Sequence, residues 1–249
     1  MKLSIITVCF NSEQTIERTL QSVVRQRGAA VEHIVVDGAS TDGTMDILEA
    51  YRRHLAQVIS EPDHGIYDAM NKGVRAASGD VIGFLNSDDV YADADVLAKV
   101  GETMERHHLE ALFGDVAFYR PERPERMVRR YSSARFRPDR IAWGWMPAHP
   151  ALFVRREVFQ NVGPFKPDYR IAGDFEFVAR VFRRPDLRYR YLPEVLVKMR
   201  VGGVSTGGWR NTMLLNREVL RACKENGIPT NMLKILSKYP AKFLEYFRK

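Results

Sequence analysis

Hydrophobic positions along the first half of the chain alternate between two rhythms. Leu3–Phe10 is a short apolar run rich in β-branched residues, and Ile16, Leu20, Val23 and Val24 then line one face of a helix. His33–Val36 repeats the strand pattern, Leu48, Tyr51 and Leu55 mark a second helix, and Val58–Ser60 reads as a third short strand. Ile66, Met70 and Val74 keep helical spacing, and Asp80–Leu85 is a fourth strand, so the order is βαβαβαβ. That order predicts an α/β fold, a Rossmann-like, mainly parallel sheet with helices on both faces.

The second half reads less regularly. Ala111–Tyr119 and Ala151–Val154 are strand-like, a helix is expected around Phe175–Phe182 and a strand near Tyr189–Leu192. Between them, Arg120–Arg140 holds eight arginines against three acids and is punctuated by prolines, which predicts a surface loop or a lid over an acceptor phosphate. No repeat or low-complexity linker interrupts the pattern. One domain is expected over residues 1–205, followed by a helical extension over 206–249.

Composition narrows the class. The chain has 249 residues, a net charge of +7 from 38 Lys+Arg and 31 Asp+Glu, and 45% hydrophobic residues, which excludes a disordered or fibrous protein. Cys9 and Cys223 are too few for a disulfide framework or a thiolate zinc site, and a reducing, cytoplasmic setting is expected. The first apolar run stops at Asn11, too soon for a signal peptide or a membrane span.

Candidate chemistry sits where the strands end, the edge at which open parallel sheets bind ligands. The four ends carry Asn11, Asp37, Glu61-Pro62-Asp63 and Asn86-Ser87-Asp88-Asp89. Adjacent Asp88 and Asp89 repel each other, and Mg²⁺ or Mn²⁺ is the natural compensator, its remaining positions filled by diphosphate oxygens and water. A solvated turn before a helix starting near Asp93 is the competing reading. Neither a G-x-G-x-x-G after the first strand nor a G-x-x-x-x-G-K-[ST] occurs, so the nucleotide would be held another way.

Leu3–Asn11, VVDGASTDGT, DHGIYDAMNKG followed by SGDVIGFLNSDD, and IAGDFEFVARV stand in the order of the motif blocks of the family-2 inverting glycosyltransferases with the GT-A fold, which this chain resembles. The resemblance is strongest over residues 3–90, returns at about 145–205, and does not reach the last forty residues. It implies that Asp174 acts as general base, with Glu176 as the alternative. It implies that Thr7, Asn11, Asp37, Asp63, Lys72, Asn86, Asp88 and His149 bind the nucleotide sugar, with Asp37 reading a uracil-like base. Asp88 and Asp89 would hold the metal, although Asn86 stands where the family's metal motif has an aspartate. Gly202-Gly203-Val204-Ser205 resembles a loop that closes over the nucleotide.

The implied activity is transfer of a hexose, from a UDP-sugar by expectation, to a polysaccharide or lipid-linked acceptor in cell-surface glycan synthesis. A catalytically silent scaffold of the same fold is the alternative. No nucleic-acid module accompanies the arginines. From Met232 to Lys249, Met232, Leu236, Tyr239, Phe243 and Phe247 fall at near-helical spacing among basic residues, interrupted by Pro240. Peripheral contact with the inner face of an anionic membrane is one expectation for that tail, and packing on the domain is the other. Trp143, Trp145 and Trp209 are candidates for stacking on sugar rings or for core positions.

Overall fold

A computed structural model describes residues 1–120, 123–201 and 208–239. The first half follows the expected alternation: β1 (Lys2–Cys9), α1 (Ile16–Val24), β2 (Ala30–Asp37), α2 (Thr44–Ala50), β3 (Gln57–Ser60), α3 (Ile66–Ala76) and β4 (Val81–Phe84). Then come β5 (Val90–Tyr91), α4 (Val96–Arg106), β6 (Ala111–Arg120), β7 (Arg123–Tyr131), β8 (Leu152–Arg155), α5 (Arg156–Val162), α6 (Gly173–Phe182), β9 (Tyr189–Arg200), α7 (Gly208–Glu225) and α8 (Met232–Leu236).

The strands form one sheet in the order β3-β2-β1-β4-β8-β6-β9-β5, with β7 added to β6. β1 lies parallel between β2 and β4, with Ile6 opposite both Ile34 and Phe84. Strands β1, β2, β3, β4, β6 and β9 run one way, and β5, β7 and β8 run against their neighbours. Ile6 and Val8 of β1 pack with α3, α5, α6 and α7, whereas Leu3 and Ile5 pack with α4 on the other face. Helices on both faces therefore cover the sheet, and both faces of its central strands are apolar.

Phe113, Phe153, Phe165 and Phe177 are fully buried. Each contributes roughly 1.5–3 kcal/mol by leaving water. α1 buries Ile16, Leu20 and Val23 as its spacing predicts, but Val24 is largely exposed. α2 stops at Ala50, and Leu55 reaches the core from beyond a short 3₁₀ turn.

The arginine-rich stretch departs most from expectation. In place of a loop, Arg123–Tyr131 is a strand paired antiparallel with β6, followed by a 3₁₀ turn over Pro138–Trp143. The cause is Asp115 of β6, whose fully buried carboxylate accepts bonds from Arg130 Nε (2.8 Å), Ser133 N (2.7 Å) and Tyr191 Oη (3.0 Å). A buried charge needs such partners, and Arg130 and Ser133 thereby tie the stretch to the sheet.

α7 buries Val219, Ala222 and Cys223 in the same core as α6. In α8, Ile235 is buried, Lys238 just beyond it is buried too, and Leu233 and Leu236 are exposed. The inward position is thus not one of those the tail's spacing suggests. The expected boundary at 205, the 202–205 loop and residues 240–249 lie outside the described residues. No described helix is long and apolar enough to cross a membrane.

Candidate active site

A cleft of about 1090 Å³ opens beyond the carboxyl ends of β1 and β4, with the last residues of β9 and the start of α6 on its wall. Asn11 turns the chain out of β1 in a left-handed conformation (φ 48°). Its Oδ1 accepts Thr41 N (2.9 Å), and its own N–H donates to Ser40 Oγ (2.8 Å), which ties the exits of β1 and β2 together. Asp37 lies beneath this loop, fully buried, accepting Ser40 N (3.0 Å) and Ser60 Oγ (2.7 Å). Gly38 beside it leaves room for the Asp63 carboxylate, whose Oδ2 would stand 2.6 Å from a Cβ at that position.

Asn86 and Asp88 line the cleft, and Asp89 sits behind them, 1% exposed. Asn86 Nδ2 donates to Asp89 Oδ2 (3.3 Å), while Asn86 Oδ1 is buried without a partner. Burial pushes both carboxyls above the usual aspartate range, and the neighbouring Asp88 charge raises Asp89 further; Arg200 opposes the shift at Asp88. Carboxylate and amide oxygens are hard donors of the kind Mg²⁺ or Mn²⁺ takes. Among the described residues no group of three or more His, Cys, Asp or Glu side chains could hold a metal. Other ligands would have to come from a bound molecule and water.

Asp174 faces the same cleft from the first turn of α6. Its Oδ1 accepts Phe175 N (2.7 Å) and lies 3.4 Å from Tyr67 Oη. A Cβ on Gly173 would fall 2.7 Å from the Tyr67 ring, so glycine lets that ring lie against the helix start. A helix N-terminus favours the ionised form of a carboxylate. Burial is the larger effect here and raises the Asp174 carboxyl, with His149 and the bonds from Phe175 and Tyr67 opposing it. His149 stacks on Phe84 (5.2 Å between centroids), and burial lowers its imidazole against the pull of Asp174.

Glu176 is held elsewhere. It is fully buried and bonded to Arg180 Nε (2.9 Å) and Lys166 Nζ (3.0 Å), away from the cleft lining.

The fold thus brings together Asn11, Asp63, Asn86, Asp88, His149 and Asp174. Thr7, Asp37, Lys72 and Asp89 do not line the cleft. Thr7 is bonded to His33 Nε2 (3.0 Å) within the sheet, and Lys72 is held by Glu61 (2.9 Å) and the Pro62 carbonyl (2.7 Å). Trp143, Trp145 and Trp209 lie off the lining, and Trp209 is 69% exposed. Sequence reasoning missed Tyr67, Arg170 and Arg200 on the cleft. The apolar-polar alternation Val197-Lys198-Met199-Arg200, which carries β9 on to Arg200, was the available signal for the last.

A model of glycosyl transferase family 2 matches residues 4–163. The chain belongs to that family. A PGL/p-HBAD biosynthesis glycosyltransferase of Mycobacterium tuberculosis is 32% identical over 222 residues, covering 88% of this chain and 82% of the relative. An uncharacterized glycosyltransferase of Bacillus subtilis, EpsJ, is 28% identical over 211 residues, covering 78% of this chain and 59% of its own. Among solved structures, Staphylococcus aureus TarS 1–349 in complex with UDP-GlcNAc superposes with a TM-score of 0.70 at 21% identity, over 89% of this chain and 66% of TarS 1–349. A Pyrobaculum calidifontis mannosyltransferase in complex with GDP-Man and Mn²⁺ gives 0.63 at 20% identity, over 88% of this chain and 64% of that one. These likenesses establish the GT-A fold.

Proposed function

We propose that this family-2 member transfers a sugar from a nucleotide diphosphate sugar, a UDP-sugar by preference, to a glycan or lipid-linked acceptor with inversion at the anomeric carbon. The observation that carries the reading is that Asp88, from the exit of β4, and Asp174, from the start of α6, present carboxylates to one cleft. Asp174 takes the proton of the acceptor hydroxyl while that oxygen attacks the anomeric carbon and the diphosphate leaves from the opposite side. Its raised affinity for protons suits a base. Asp88 and Asp89, with Asn86, would hold Mg²⁺ or Mn²⁺, which supplies positive charge for the departing diphosphate.

Asn11, Asp63, Asn86, Asp88 and His149 contact the donor in this reading. Thr7, Asp37 and Lys72 hold the strand exits that carry those contacts. The UDP-GlcNAc bound to TarS and the relatives named for PGL/p-HBAD biosynthesis support a UDP-sugar donor and a lipid-linked or cell-surface product. Exposed Leu233 and Leu236 beside Lys234 support contact with the inner face of an anionic membrane.

The test is release of nucleotide from a panel of UDP-, dTDP- and GDP-sugars with Mn²⁺, water serving as acceptor. Slow turnover of at least one donor, abolished by chelator and by Asp89→Ala, is expected. No turnover across the panel would favour the silent scaffold, and turnover insensitive to both treatments would remove the metal.

A further inference from the structure

The segment 163–172 between α5 and α6 contains only turns and bends, yet side chains from elsewhere fasten it along its length. Arg180 donates to the carbonyls of Gly163 (3.0 Å) and Pro164 (2.7 Å). Asn71 pairs with Phe165 like a strand neighbour, donating to its carbonyl (2.8 Å) and accepting its N–H (2.9 Å). Glu225 accepts Lys166 Nζ (2.8 Å) and Tyr169 Oη (3.0 Å). The last stretch belongs to Glu218 of α7, whose Oε1 accepts Arg170 N (2.9 Å) and whose Oε2 accepts Ile171 N (2.9 Å) and Ala172 N (2.8 Å).

Three consecutive amides converging on one buried carboxylate are more than an attachment. Fastening a helix to a loop needs a single bond, whereas three fix the direction in which the chain enters α6. The entry needs such help. Ala172 occupies the N-cap and offers no side-chain oxygen, and no side-chain cap bond forms there. Tyr67 closes the other side, donating to the Ile171 carbonyl (2.7 Å). Asp174 therefore stands two residues beyond a frame built by Glu218 and Tyr67, while Arg170 and Ile171, within that frame, line the cleft. Glu218 itself does not reach the lining.

We infer that Glu218 is a positioning residue: by holding the amides of Arg170, Ile171 and Ala172 it sets where the Asp174 carboxylate stands, without meeting substrate. The inference rests on Asp174 being the base. Chemistry of this kind is sensitive to placement, since a displacement of about 1 Å costs ~100-fold in rate.

The experiment is a double-mutant cycle between Glu218→Gln and Asp174→Asn in the full chain, using the donor from the panel with the highest turnover. Glutamine keeps the size of the side chain and turns an accepting oxygen into an NH₂ that opposes amide donors. Glu218→Gln is expected to lower kcat by about 10- to 100-fold while leaving the donor KM and UDP affinity within about twofold. In the Asp174→Asn background the same substitution should change kcat by no more than about twofold, because the group it positions is already gone.

An equal loss in both backgrounds, or a lowered Tm with parental kcat, would overturn the inference and leave the base assignment intact. Parental turnover in Asp174→Asn alone would overturn the base assignment and this inference with it. If Glu218→Gln does not bind UDP at the assay temperature, Glu218→Asp replaces it in the same cycle, with the same outcomes.

Discussion

At Asp174 burial bears directly on the proposed role of base. Desolvation raises its carboxyl above the ordinary aspartate value of 3.8, yet a base must be ionised to work. With the base pKa raised, the ionised fraction falls as pH drops through that elevated value, so activity is full above it and lost below it. We expect the acid limb of the kcat profile to lie above pH 3.8 and to vanish in Asp174→Asn, which should retain donor binding and lose about 10²- to 10⁴-fold in kcat. A variant that keeps the parental limb would assign it to another group. Glu176, two residues on, is satisfied by Arg180 and Lys166 and carries no such demand. Sequence showed an acidic pair at a helix start. Which acid faces the cleft was not legible, because Glu176 is held by Arg180 one turn along the same helix and by Lys166 from the segment before it.

At the scale of elements, the paired strands β6 and β7 depend on Asp115. Replacing it by alanine removes the bonds to Arg130, Ser133 and Tyr191 at once. Because Arg130 is half exposed and can return to water, the cost should be about 2–3 kcal/mol, below that of breaking a fully buried pair. A Tm lower by roughly 5–10 °C in thermal unfolding is expected for a chain of this size. An unchanged Tm would mean that the β7 pairing stands without its anchor. The same element shows the limit of reading by pattern. β1, β2 and β4 were legible because each buries a run of apolar residues, and β3 because Val58 and Ile59 pack partly buried beside them; the two-residue β5 carried too little pattern to be read. β7 has almost no apolar periodicity, and its strand character comes from an edge of β6 and a carboxylate buried below it. A compositional reading therefore took it for a loop. Glu218 was hidden for a related reason, since its partners are backbone amides, which leave no trace in sequence.

For the whole molecule, the topology gathers groups from distant parts of the chain at one end of the sheet. Asn11, Asp63, Asn86 and Asp88 arrive on strand exits, and His149, Asp174 and Arg200 arrive from the second half. The first set was legible as a series of polar strand ends. Arg200 was not, because β9 continues well past the residues that announced it. Asp89 is buried beside the partly buried Asp88, with Arg200 close enough to act on Asp88, and the metal and diphosphate proposed above would relieve the repulsion between the two carboxylates. Calorimetric titration of UDP with and without Mn²⁺, in the parent, Asp89→Asn and Asp174→Asn, tests this most directly. The account predicts that UDP binds the parent and Asp174→Asn only when Mn²⁺ is present and that Asp89→Asn loses this metal-dependent binding. Equal UDP affinity in all three proteins, with or without Mn²⁺, would contradict it.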